Sequence, residues 1–243
     1  MRRGQHLQKA FLCVLRFWWL YLFVAVLLVG LPLFLKSNSG SMAGAISYIF
    51  FVLFLHRYFL FGDGAEASMR SSWSFIWVNL LVTIGACALV LGGLLLAPSN
   101  PVSQTILASS GLLILAFLPA VWMVLSVFGT ALPASAANQP YGLMLSLRRS
   151  RQTALGIAWR LLVGPGLFGF VTMAVALVGR GAFAVLVGID KSHMATPTLQ
   201  LRAVDFGFET GLQLIVMTAS TLAVAVLCDA YRRIQPAPVD AAA

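Results

Sequence analysis

Charge is what this chain lacks. Only 9% of its 243 residues are charged, against about 25% in a soluble domain. Too little polar surface remains to cover a water-facing globule, so lipid is the natural solvent. Acidic residues are scarcest, 7 Asp and Glu against 16 Lys and Arg. Cysteine is scarce too. Cys13, Cys87 and Cys228 are odd in number and have no CxxC spacing. That argues against a disulfide framework or a zinc site and leaves thiols acting as small buried hydrophobes. No Walker A loop, HExxH, GxSxG or dinucleotide glycine fingerprint is present, so no familiar catalytic or cofactor apparatus is expected.

What is there is apolar. Hydrophobic residues make up 60% of the chain, and the mean hydropathy is +0.93. A membrane-crossing helix needs about 20 mostly apolar residues. Six runs qualify, at 17–35, 42–61, 73–97, 106–128, 155–178 and 206–230. They predict an all-α polytopic bundle forming one membrane domain over 1–234. A Pro/Ala-rich tail, 235–243, is expected to be disordered. The basic N-terminus leads into an apolar run too long for a signal peptide and without an A-x-A site, so the first run reads as a retained span.

The connections carry the remaining signals. Pro119 predicts a kink in the fourth span. Pro133, Asn138 and Pro140 interrupt the start of the following connection, and Tyr141 to Thr153 reads as an amphipathic interfacial helix with Arg148, Arg149 and Arg151. Part of the last long loop, Gly181 to Ile189, is apolar enough to dip back into the membrane.

Basic residues set the orientation. Arg2, Arg3, Lys9, Arg16, Arg57, Arg70, Arg148, Arg149, Arg151, Arg160, Arg232 and Arg233 fall on the N-terminal side of the alternating spans. Lys36, Arg180, Lys191 and Arg202 fall on the other. The excess marks the N-terminal side as cytoplasmic, and six spans return the C-terminus there. Trp18, Trp19, Trp73, Trp159 and Tyr231 sit near those same helix ends, where amphipathic rings favour the interface. The net charge of +9 suits helix ends beside anionic lipid. Without a basic domain or interleaved aromatics, it does not point to nucleic acid.

Four constellations are candidates for chemistry. His56 and Arg57 end the second span, with Asp63 and Glu66 just beyond; there Arg57 can snorkel to water. Arg148, Arg149 and Arg151, with Arg160 further on, can meet anionic headgroups or an acidic partner, and Arg57 is their neighbour on that side. Asp190, His193, Asp205 and Glu209 follow no recognised ligand spacing, so no metal site is expected. Gly164, Pro165 and Gly166 can break the fifth span as transporters do near substrate, and Ala88-x-x-x-Gly92 can let helices approach closely. No membrane-embedded acid is expected to pair with an embedded base, which argues against a coupled pump.

Three phrases carry a resemblance: Leu55-His56-Arg57-Tyr58-Phe59-Leu60-Phe61-Gly62; Ala131-Leu-Pro-Ala-Ser-Ala-Ala-Asn-Gln-Pro140 leading to Leu145-x-x-Arg148-x-Ser150-Arg151; and Leu227-Cys-Asp-Ala-Tyr231-Arg232. They are similar to phrases of an uncharacterised bacterial six-span membrane protein family. That family resembles, more remotely, the membrane domain fused to some glycerophosphodiester phosphodiesterases. Leu55 stands where the family often has Trp. The resemblance implies a six-helix fold in a bacterial inner membrane and brings no activity with it. The phosphodiesterase barrel would need about 250 further residues. The expectation is a non-catalytic scaffold or accessory subunit that needs no cofactor and binds membrane lipid or a partner complex. A lipid or small-molecule permease is the alternative.

Overall fold

The computed structural model describes residues 5–35, 38–62, 69–96, 110–139, 143–150, 153–186 and 199–234. All regular structure among them is helical. Four helical stretches are long and apolar enough to cross a membrane: Met42–Phe61, Ser72–Gly93, Ala154–Ala176 and Val204–Ile234. A fifth arises if Leu7–Arg16 and Trp18–Pro32, which meet at 75°, count together. By length and composition these helices fit a multi-pass membrane protein. The chain divides into two compact units, whose boundaries fall inside helices.

The first unit is Met1–Val52 with Val163–Ala225. It contains α1 (Gln5–Arg16), α2 (Trp18–Leu35), the first part of α3 (Asn38–Phe61), α9 (Leu167–Leu186) and most of α10 (Leu199–Ile234). Hydroxyl pairs hold its interior. Tyr21 of α2 shares a hydrogen bond with Thr221, and Tyr48 of α3 shares one with Ser220. Thr221 and Ser220 also donate to the carbonyls of Met217 and Val216 one turn back, so they stay satisfied without water. Phe51 stands edge-on to Tyr21, with ring centroids 4.9 Å apart. Small residues permit close approach: a Cβ on Gly44 would lie 3.4 Å from Leu28, and one on Gly169 would lie 3.5 Å from Ala219.

The second unit is Leu53–Leu162 with Val226–Ala243. It holds the end of α3, α4 (Met69–Leu96), α5 (Ser110–Phe128), α6 (Ala131–Ala136), α7 (Leu143–Ser150), α8 (Ala154–Leu161) and the end of α10. Val82 and Ala86 of α4 pack on Val124 of α5, with Val121, Leu125 and Phe128 around them. Gly85 fits beside Val124, while a Cβ on Gly92 would meet nothing within 4 Å. The close approach expected at Ala88-x-x-x-Gly92 is thus made at Gly85, about two turns before Gly92.

Two sequence expectations change here. Pro133 does not interrupt the chain. It lies in the first turn of α6, where a missing N–H costs no helical hydrogen bond. Helix α6 then stops in a Schellman closure. Asn138 takes φ 56°, and the amides of Asn138 and Gln139 bond back to Ser135 and Ala134. Of the interfacial helix expected over Tyr141 to Thr153, Leu143–Ser150 is helical, and 141–142 and 151–152 lie outside the described residues. Gly181 to Leu186, expected as a membrane-dipping loop, continues α9. Residues 187–190 and the tail 235–243 lie outside the described residues, as do 106–109 at the start of the expected fourth span.

The sequence also concealed an element. Gln5–Arg16 forms a separate helix ahead of the first apolar run. The backbone stays satisfied across the bend: Phe17 N–H donates to Cys13, and Tyr21 N–H donates to the Phe17 carbonyl.

Candidate functional site

The three resemblance phrases meet in the second unit. Helix α3 ends with exposed carbonyls, as every helix does. Arg232 of α10 donates Nη2 to the carbonyl oxygens of Phe59 (2.6 Å) and Leu60 (2.8 Å). A cation at a helix C-terminus also suits the helix dipole. One turn earlier, the Cys228 thiol lies 3.9 Å from the His56 carbonyl oxygen as a weak donor. The second phrase joins through Tyr231. Its hydroxyl donates to Gln139 Oε1, and its ring packs on Ala131 and Ala134 with Leu60, Val78 and Leu145.

The candidates His56 and Arg57 lie inside the unit. His56 is fully buried and stands edge-on to Phe75, centroids 5.1 Å apart. Arg57 is only 8% exposed. Its Nη2 is 3.4 Å from the Ser72 hydroxyl. The guanidinium expected to snorkel to water is instead held between α3 and α4. A buried cation needs polar neighbours to offset lost hydration, and the Ser72 hydroxyl is one.

Helix α7 is pinned by Ser146, which is fully buried. The Ser146 hydroxyl shares a 2.8 Å hydrogen bond with Thr130 and lies 3.4 Å from the Val127 carbonyl oxygen. That anchor fixes which face of α7 points out. Met144 is 78% exposed and Leu147 is 38% exposed. Arg148 is exposed and Arg149 half-buried. Arg151 lies outside the described residues. The result is an apolar shoulder beside guanidinium groups, a pairing that suits a lipid phosphate with its acyl chains.

Asp229 organises the remaining charges. Arg160 of α8 lies 3.1 Å from its Oδ2, and Arg233, on α10 with Asp229, lies 2.9 Å away. Asp229 and Arg160 thus link two apolar helices. The signal was present. Asp229 is one of only seven acids, it precedes Arg233 by one helical turn, and Arg160 lies in another span. Thr130 and Ser146 gave no such signal, because hydroxyls of this kind occur throughout the chain.

The interfacial aromatics separate cleanly. Trp18, Trp19, Trp73 and Trp159 are 57–65% exposed, whereas Tyr231 is 2% exposed. Tyr231 is a core residue whose hydroxyl found a protein partner instead of the interface.

Gly164, Pro165 and Gly166 do not break the fifth span. Leu162–Gly166 winds as one π-helical turn between α8 and α9, which absorbs the proline by widening the helix. Of the outer-side set, Asp205 and Glu209 lie on α10, while Asp190 and His193 lie outside the described residues. Among the described residues, no three His, Cys, Asp or Glu side chains gather closely enough to hold a metal ion. Compared with protein families, with curated proteins and with solved structures, the chain matches none.

Proposed function

We propose that this chain is a non-catalytic inner-membrane protein, a scaffold or accessory subunit, that receives anionic lipid headgroups on the outward face of α7. In this reading six spans place both termini in the cytoplasm. Arg148, Arg149 and Arg151 meet the phosphates, and Met144 and Leu147 enter the acyl boundary. The observation that supports it is the Ser146 anchor, with Met144, Leu147 and Arg148 exposed on the same short helix. Each cation near an anionic surface contributes about 1 kcal/mol, so three together give a preference that mild detergent extraction preserves.

The test is purification of the full chain from native membranes, with mass spectrometry of bound lipids and proteins. The wild type should retain anionic lipid above its bulk fraction, and a chain carrying R148Q, R149Q and R151Q should lose that excess. A stoichiometric protein lost from the same variant would redirect the face to an acidic partner. Unchanged lipid and protein profiles reject the assignment. Gly164→Ala with Gly166→Ala should leave association intact. A permease would instead lose flux in the glycine variant and keep it in the arginine variant.

A further inference from the structure

We infer that α1 is a second, independent lipid contact, an in-plane helix of the first unit lying on the anionic surface of the leaflet. Four observations converge on it. First, α1 is not needed to cross the bilayer. The 18 residues of α2 at about 1.5 Å each reach about 27 Å, close to the hydrocarbon thickness of about 30 Å. Second, α1 leaves α2 at 75°. A helix at that angle to one that crosses the bilayer lies nearer the membrane plane than its normal.

Third, α1 has three distinct faces at 3.6 residues per turn. Ala10 and Cys13 are fully buried and face the protein. Phe11 is 46% exposed and Leu15 is 70% exposed, and they share a second face. Lys9 and Arg16, seven apart and both exposed, make the third. A helix floating in water gains nothing from the second face. One embedded in hydrocarbon would pay for the third. Only the boundary between headgroups and acyl chains satisfies all three.

Fourth, the rotation and the junction are fixed. Phe11 packs edge-on to Phe168 of α9, with centroids 6.3 Å apart. Leu7 closes on Gly164, 3.8 Å from where a Cβ would stand. At the bend, the Arg16 guanidinium lies 5.4 Å over the Phe17 ring. Trp18 and Trp19 follow at once, 62% and 57% exposed, as expected of rings at headgroup level. The basic face selects anionic over zwitterionic lipid.

The test places one nitroxide at a time on the full-length chain. Cys87→Ala removes the exposed thiol, while Cys13 and Cys228 are buried. Labels go on Leu15→Cys and, separately, Lys9→Cys. The chain is reconstituted in mixed phosphatidylcholine and phosphatidylglycerol vesicles, and accessibility to oxygen and to an aqueous relaxant is measured. The Leu15 label should lie about 5–10 Å below the headgroups, with the Lys9 label at their level. In pure phosphatidylcholine, the oxygen-to-aqueous ratio at Leu15 should fall about twofold or more. Equal aqueous access at both sites overturns the assignment, as does a Leu15 label at the bilayer centre. An unchanged ratio between the two vesicle types overturns the anionic preference. Phe11→Cys, on the same face, gives the same reading if Leu15→Cys fails to fold. The α7 arginines are untouched, so success or failure here is separate from theirs.

Discussion

Asp229 Oδ2 stands 3.1 Å from the Arg160 guanidinium of α8 and 2.9 Å from Arg233 on its own helix. The Asp229 side chain is 12% exposed and that of Arg160 is 34% exposed. The pair is thus partly shielded from water and links two helices of the second unit. Asp229→Asn and Arg160→Gln should each lower thermal stability in mild detergent. Their double-mutant cycle should show coupling of about 1 kcal/mol. Additive single effects would mean that the pair contributes no link.

Gly129 should tolerate no side chain. A Cβ there would strike the Leu125 carbonyl oxygen and stand 2.6 Å from Leu227 Cδ2. The first is backbone and cannot swing aside, so Gly129→Ala should cost about 1–3 kcal/mol. Gly92→Ala provides the opposite sign. Its Cβ would meet nothing within 4 Å, and removing glycine from a helix stabilises by about 0.5–1 kcal/mol. Equal melting temperatures for the two variants would contradict the packing at the α5 end.

Ser146→Ala should loosen α7 before it affects the rest of the unit. The substitution removes the buried bond to Thr130 and the contact with the Val127 carbonyl. The local cost should be about 1–2 kcal/mol. Hydrogen exchange over 143–150 should quicken while α4 and α5 keep their protection. Uniform quickening across the unit would show that the hydroxyl stabilises globally rather than pinning α7.

Thiol reactivity should separate the three cysteines. Cys13 and Cys228 are buried, and Cys87 is exposed on α4, within a stretch apolar enough to span. A membrane-impermeant maleimide should therefore modify none of them in intact vesicles. After transfer to mild detergent it should modify Cys87 alone, and in denaturing detergent all three. Rapid labelling of Cys87 in vesicles would place the middle of α4 against water.

Much of this protein was readable from its sequence because membrane solvation acts on single segments. An apolar run must satisfy its own backbone hydrogen bonds, so it becomes a helix wherever it lies. Runs such as Met42–Phe61 and Ser72–Gly93 thus declared themselves. What the sequence could not decide was the direction each side chain faces within an apolar helix. All faces of such a helix read alike. Tyr231 resembled the interfacial tryptophans until Gln139 and Ala131 were brought against it, and Arg57 looked free to snorkel until Ser72 arrived from α4. Helix α1 was hidden because its turn away from α2 comes at Phe17, without the glycine or proline that usually announces a bend. The composition determined that this chain belongs in a membrane. Only long-range pairing decided which of its few polar groups are held inside and which remain turned outward.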